Sequence, residues 1–214
     1  MLIIFDLDDT LIDTSGYVTP HKLEVALGLL LEGCQKPTDL AELKALNEAS
    51  PRTQDAIREF AGRRKIAKER VHLALSELTA PLPSDFRVPC TPHAKEILKY
   101  YASRCPLALI TGGHPPFQLE KLEKAGIEAS IFSMMAVPED SVKKPFYKAF
   151  FEKFSKDPAD VWVCGDRIPM DLAPAHELGF RTIHMRWGRG QKMGQEPWID
   201  HSISNLGELR DIIT

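Results

Sequence analysis

The chain opens on an unbroken apolar run, Met1-Leu2-Ile3-Ile4-Phe5, and then sets Asp6, Asp8 and Asp9 within four residues. Five apolar residues are too few for a membrane span or a signal-peptide core, and no basic segment precedes them. The run is therefore expected to be a central strand buried on both faces of a sheet, delivering acid groups to its own end. Residues 12–20 carry Asp, Thr, Ser, Gly and Pro and break the strand pattern. From His21 to about Leu78 the apolar period lengthens to that of a helix, through Leu23, Ala26 and Leu30, then Leu40, Leu43 and Leu46, then Ala56 and Phe60, then Val71, Ala74 and Leu78. Thr38 and Ser50 are expected as caps within this stretch, with Pro51 at a first helical position. The pattern predicts an all-helical insert spanning, with its linkers, 14–90.

Past Thr91 short apolar runs alternate with helical periods. Strands are predicted at Leu107–Ile110, Ile131–Val137, Val161–Cys164, Arg181–Met185 and Ile199–Ile203. Helices are predicted at about 92–103, 117–125, 146–154, 170–178 and 206–213, with Gly126 and Gly179 as C-terminal stops. Strands and helices alternating at this spacing imply an α/β fold, a Rossmann-like parallel sheet with helices on both faces. The expected organisation is one α/β core domain from 1–13 and 91–214, interrupted by the helical domain at 14–90. Ligands of such sheets bind beyond the carboxyl ends of the strands, which is where the opening acids fall.

Composition narrows the partners. With 27 basic against 30 acidic residues and a net charge of -3, no basic field draws the chain to nucleic acid or anionic lipid. A small-molecule partner is expected, with neither nucleic acid nor membrane. Cys34, Cys90, Cys105 and Cys164 form no CxxC pair, which argues against a structural zinc site and fits free thiols in a reducing, cytoplasmic setting. Oligomeric state is not encoded in any pattern here.

Carboxylates as close as Asp6 and Asp8 repel unless a cation lies among them, which points to a hard divalent ion such as Mg2+. Three further strand ends carry reactive groups. Thr111-Gly112-Gly113 offers a hydroxyl and unshielded amides for phosphate oxygens, or forms a plain strand-to-helix turn. Lys143-Lys144-Pro145 starts a helix, and a lysine there either neutralises an anion or is solvated. Gly165-Asp166, with Asp171 five residues later, supplies a metal ligand or a helix-capping pair.

Taken together, DxDxT, a strand-terminal Thr, a Lys-Pro before a helix and GDxxxxD resemble the haloacid dehalogenase superfamily, and more closely its Mg2+-dependent phosphatase branch with a helical cap. The resemblance covers 1–13 and about 91–214; the 14–90 insert matches in position and helical character, where the family places its cap. It implies Asp6 as the nucleophile that becomes an aspartyl-phosphate, and Asp8 as general acid, then base, with its backbone carbonyl on Mg2+. Thr111 and the Gly112 amide would bind the phosphoryl group, and Lys144 would offset the negative charge. Asp166 would ligate the metal, with Asp171 orienting the metal shell or pairing with Lys144. Dehalogenases of the superfamily lack the second aspartate, so Asp8 favours a phosphomonoesterase of small phosphorylated metabolites. Arg167 and Ile168-Pro169 depart from the usual residues after the Gly-Asp pair. A phosphomutase of the same superfamily, or a non-enzymatic phospholigand-binding module, are the alternatives. Asp9 is read as a turn residue, and Arg63-Arg64-Lys65 as a solvated helix face.

Overall fold

In the computed structural model, which describes residues 1–213, the chain forms two compact units: Met1–Ser15 together with the chain from Pro83 onward, and Gly16–Leu82. In the first unit the described residues build a six-stranded, all-parallel sheet of order β3-β2-β1-β4-β5-β6. The strands are β1 (Leu2–Phe5), β2 (Leu107–Ile110), β3 (Met134–Ala136), β4 (Val161–Gly165), β5 (Arg181–Met185) and β6 (His201–Ile203). β1 is the central strand, and its four residues are fully buried. Such a strand must be apolar on both faces, which explains the unbroken run at the start of the sequence. Leu2 and Ile4 join Ala108, Ile110, Val161 and Val163 in one apolar layer, which also takes in Tyr147 and Phe150 of the helix Lys144–Phe154. Strand alternation sends Ile3 and Phe5 to the opposite face.

The expected elements appear, with shifted ends. The predicted strand at Ile131–Val137 is reduced to Met134–Ala136, because Ala129–Ile131 closes a 3-10 turn instead. The predicted helix at 170–178 begins as a π-helical turn at Ile168–Leu172 and continues only to His176. Gly126 and Gly179 stop their helices as expected, at φ 65° and 76°, a region a glycine enters without steric cost.

The chain leaving β1 and the chain returning to the sheet are tied together inside this unit. Ile12 bridges Cys90, Asp13 N–H donates to the Pro89 carbonyl at 2.8 Å, and Thr91 Oγ1 donates to the Thr10 carbonyl at 2.6 Å. Thr14, Ser15 and residues 83–90 thus lie in the sheet-bearing unit, whereas the sequence pattern alone assigned them to the insert.

The unit Gly16–Leu82 is helical: α1 (Thr19–Leu31), α2 (Pro37–Ala49), α3 (Thr53–Arg63) and α4 (Lys68–Glu77). Leu23, Leu27, Leu43, Ile57, Phe60 and Ala74 form its core. Neither expected cap occupies an N-cap position: α2 starts after Lys36 with Pro37 in its first turn, and α3 starts after Arg52. The Asp39 carboxylate instead accepts the Lys36 N–H at 2.7 Å, the reciprocal half of a capping box. The basic run is partly tied down, since Arg64 pairs with Asp39 and Glu42 and stacks over Phe60.

Candidate active site

The register of the sheet brings three strand ends together. Phe5 lies opposite Leu109 and Cys164, so Asp6, Thr111 and Asp166 emerge side by side from β1, β2 and β4. Asp6 N–H donates to the Cys164 carbonyl at 2.9 Å, and Thr111 N–H to the Ala136 carbonyl at 3.1 Å. Each extends the sheet's hydrogen-bond ladder one residue past the strand, which fixes the backbone of the residue that carries the functional group. Thr111 is buried, and a Cβ at Gly112 would strike the Ser141 side chain. The loop after β2 therefore closes only with glycine there.

The lysine beside Asp6 is not Lys144. The side chain that reaches Asp6 belongs to Lys143, whose Nζ lies 2.6 Å from Asp6 Oδ1 and 2.6 Å from Asp171 Oδ1. It is almost wholly buried. Lys144 is exposed and pairs with Glu177. Adjacent residues at a helix start point about 100° apart, so one of the two can face the strand ends while the other faces solvent. Pro145 marked the helix start but not which lysine looks inward. Asp171 accordingly pairs with Lys143, and its Oδ2 accepts the Arg167 N–H at 2.9 Å.

Asp6, Asp166 and Asp171 are all buried, and one carboxylate oxygen from each lies within 4.8 Å of the others. Lys143 serves Asp6 and Asp171, and no side-chain donor reaches the Asp166 carboxylate among the described residues. Burial pushes Asp6 up to about 7, against the pull of Lys143 and with help from Asp171 and Asp8. Burial, with the charges of Asp171 and Asp6, holds Asp166 well above the ordinary carboxylate range. Three crowded oxygen donors with one resident cation form a set that a hard divalent ion fits.

Asp8 lies in a different environment, its carboxylate held by its own donors. Oδ1 accepts from Lys121 Nζ and the Thr14 hydroxyl, and Oδ2 accepts from Gln118 Nε2 at 3.1 Å. Burial raises its pKa, but Lys121, Thr14 and Gln118 outweigh that, and the net direction is down. Asp9 is more than a turn residue. It adopts φ 55°, is buried, and its carboxylate accepts both the N–H (2.8 Å) and the hydroxyl of Ser15. Gly188 packs so closely on it that a Cβ there would overlap the carboxylate. Gln118 and Lys121 carried no expectation from the sequence, although their i, i+3 spacing on one helix was legible. His114 only precedes that helix.

A family model described as haloacid dehalogenase-like hydrolase matches residues 1–179. The chain belongs to the haloacid dehalogenase-like hydrolases. This hydrolase is 26% identical to a glyceraldehyde 3-phosphate phosphatase of Methanocaldococcus jannaschii, over 99% of its own length and 96% of that protein's. It is 25% identical to the N-acylneuraminate-9-phosphatase of Rattus norvegicus, over 97% and 91% of the two chains. In fold it is similar to the Bacillus subtilis HAD-hydrolase YfnB bound to magnesium, with a TM-score of 0.68 at 19% identity over 99% and 97% of the chains. Its curated relatives are thus phosphatases of small phosphorylated metabolites.

Proposed function

We propose that this hydrolase is a Mg2+-dependent phosphomonoesterase of a small phosphorylated metabolite, working through an aspartyl-phosphate on Asp6. The observation that carries the reading is the division of the two opening acids. Asp6 sits beside Lys143 in the buried trio, while Asp8, two residues on, is held apart by its own donors.

In this reading an Asp6 carboxylate oxygen attacks the ester phosphorus, and the bond from phosphorus to the ester oxygen breaks. Asp8, which must hold a proton at this step although Lys121, Thr14 and Gln118 favour its ionised form, delivers it to the departing alkoxide. Water then attacks the phosphorus of the aspartyl-phosphate as Asp8 takes back a proton, which releases inorganic phosphate and restores Asp6. Asp6, Asp166 and the Asp8 backbone carbonyl would hold Mg2+, with Asp171 fixing Lys143 and the surrounding shell. Bound there, the ion would supply Lewis-acid stabilisation of the phosphoryl oxygens. Thr111 and the Gly112 amide bind those oxygens, and Lys143, in the role first given to Lys144, offsets the like-charge repulsion between nucleophile and substrate.

The helical unit 16–82, inserted in sequence directly after the Asp6–Asp8 segment, is assigned the role of a cap that selects the ester. Free Cys34, Cys90, Cys105 and Cys164 support a reducing, cytoplasmic setting. Among the described residues no helix is long and apolar enough to cross a membrane. A panel of phosphate esters, assayed with and without Mg2+, tests the assignment. Release of phosphate that requires Mg2+ supports it; failure of every ester, a generic aryl phosphate included, overturns it.

A further inference from the structure

The helix Pro115–Lys124 places Gln118 and Lys121 on one face, three residues apart, and both side chains are buried. Both end on the Asp8 carboxylate: Lys121 Nζ on Oδ1, and Gln118 Nε2 on Oδ2 at 3.1 Å. The second hydrogen of the same Gln118 amide goes to the Gly112 carbonyl at 2.6 Å. One amide group thus joins Asp8 to the loop of Thr111 and Gly112. It has no freedom to turn, because rotation would set Gln118 Oε1 against the Gly112 carbonyl oxygen. That Oε1 is buried without a hydrogen-bond partner, a cost the structure accepts in this orientation. A buried lysine ion pair is likewise an expensive way to obtain stability alone, since desolvation offsets most of the attraction.

We propose that Gln118 and Lys121 are positioning residues that lock the Asp8 carboxylate at a fixed distance from the phosphate-binding loop, so that it meets the leaving-group oxygen of the bound ester. The inference rests on the phosphomonoesterase reading and extends it to a helix to which that reading assigns no part. Its consequence is selective. An alkyl leaving group departs as a strongly basic alkoxide and needs the Asp8 proton, whereas p-nitrophenolate leaves without one. Displacing Asp8 should therefore penalise the alkyl ester and spare the aryl ester.

The test compares kcat/KM, which reports steps through the first phosphoryl transfer, for p-nitrophenyl phosphate and for the best alkyl phosphate of the panel. The enzymes are the wild type, Lys121→Met, Lys121→Arg, Gln118→Leu and Asp8→Asn. Lys121→Met and Gln118→Leu are expected to lose about 10- to 100-fold on the alkyl ester and less than about three-fold on the aryl ester. Lys121→Arg should recover most of the alkyl activity. Equal losses on both esters would reduce the pair to a structural role and overturn the proposal, as would full alkyl activity in both variants. Thermal unfolding of the same preparations separates a lost fold from a lost position, and Gln118→Leu, which removes no charge, carries the test if Lys121→Met does not fold. Failure of the underlying reading looks different: the wild type cleaves neither ester, or Asp8→Asn leaves the alkyl-to-aryl ratio unchanged.

Discussion

Replacing Lys143 by methionine removes a cation buried among three carboxylates while keeping most of the side-chain volume. Its Nζ makes two contacts of 2.6 Å, to Asp6 and Asp171. Each corresponds to about 6 kcal/mol of gross attraction at an effective dielectric constant of about 20. Desolvation of the ammonium offsets much of this in the folded protein, so the net figure comes from buried pairs broken on one side, about 3–5 kcal/mol. For a chain of this size that lowers the unfolding midpoint by roughly 6–20 °C in the absence of metal. Turnover falls further than stability requires, because Asp6 then meets a phosphate dianion with one cation fewer. A loss of about 10²–10³ in kcat is expected from removal of one preorganised electrostatic partner. Thermal unfolding without Mg2+ and aryl phosphate hydrolysis with Mg2+ measure the two effects. Lys144→Met, which loses only a solvent-screened contact with Glu177, leaves both near the wild-type values. Greater damage from Lys144→Met, or wild-type stability and turnover in Lys143→Met, would show that Lys143 does not play this part.

Two other outcomes follow from the same geometry. The folded-state pKa values of Asp6, at about 7, and of Asp166 are raised. The stability Asp6 contributes to the metal-free protein is therefore fully present below its ordinary carboxylate value and is lost as pH rises through about 7, and Asp166 acts in the same direction. Mg2+ displaces those protons, so the rise in unfolding midpoint on adding saturating Mg2+ should be larger at about pH 8 than at about pH 5; a shift independent of pH contradicts this. Gly112→Ala drives a methyl into Ser141 and is expected to cost about 1–3 kcal/mol and to weaken phosphate binding, read as a raised KM and a raised inhibition constant for inorganic phosphate. Ser141→Gly in the same chain should recover part of both losses.

The sheet was legible because a parallel strand buried on both faces leaves an unmistakable apolar run, as in Leu2–Phe5 and Val161–Gly165. Asp6 and Asp166 were legible because each stands at a strand end, and Asp171 because of its spacing from Asp166. Lys143 was not, since two adjacent lysines before Pro145 differ only in the direction a helix start gives them, and that is fixed by tertiary packing. Asp8's partners were hidden for a related reason: Lys121 is 113 residues away in sequence, and nothing local distinguishes it from a solvated helical lysine. Thr38 misled because Pro37 set the start of α2; Ser50 is a cap, but at the C-terminal end of α2, and α3 starts only after Arg52. No sequence motif in the helical unit names its ester, so substrate choice has to come from the panel.

If Asp6 carries the phosphoryl group, the acyl phosphate can be trapped on it. Quenching the enzyme during turnover with borohydride reduces an acyl phosphate to the alcohol, which converts the carrier aspartate to homoserine, and peptide mass spectrometry then locates the change. Homoserine is expected at position 6 only when ester and Mg2+ are both present, and not in Asp6→Asn, which should have lost hydrolysis. Reduction at another aspartate, or undiminished hydrolysis by Asp6→Asn, would contradict that role for Asp6.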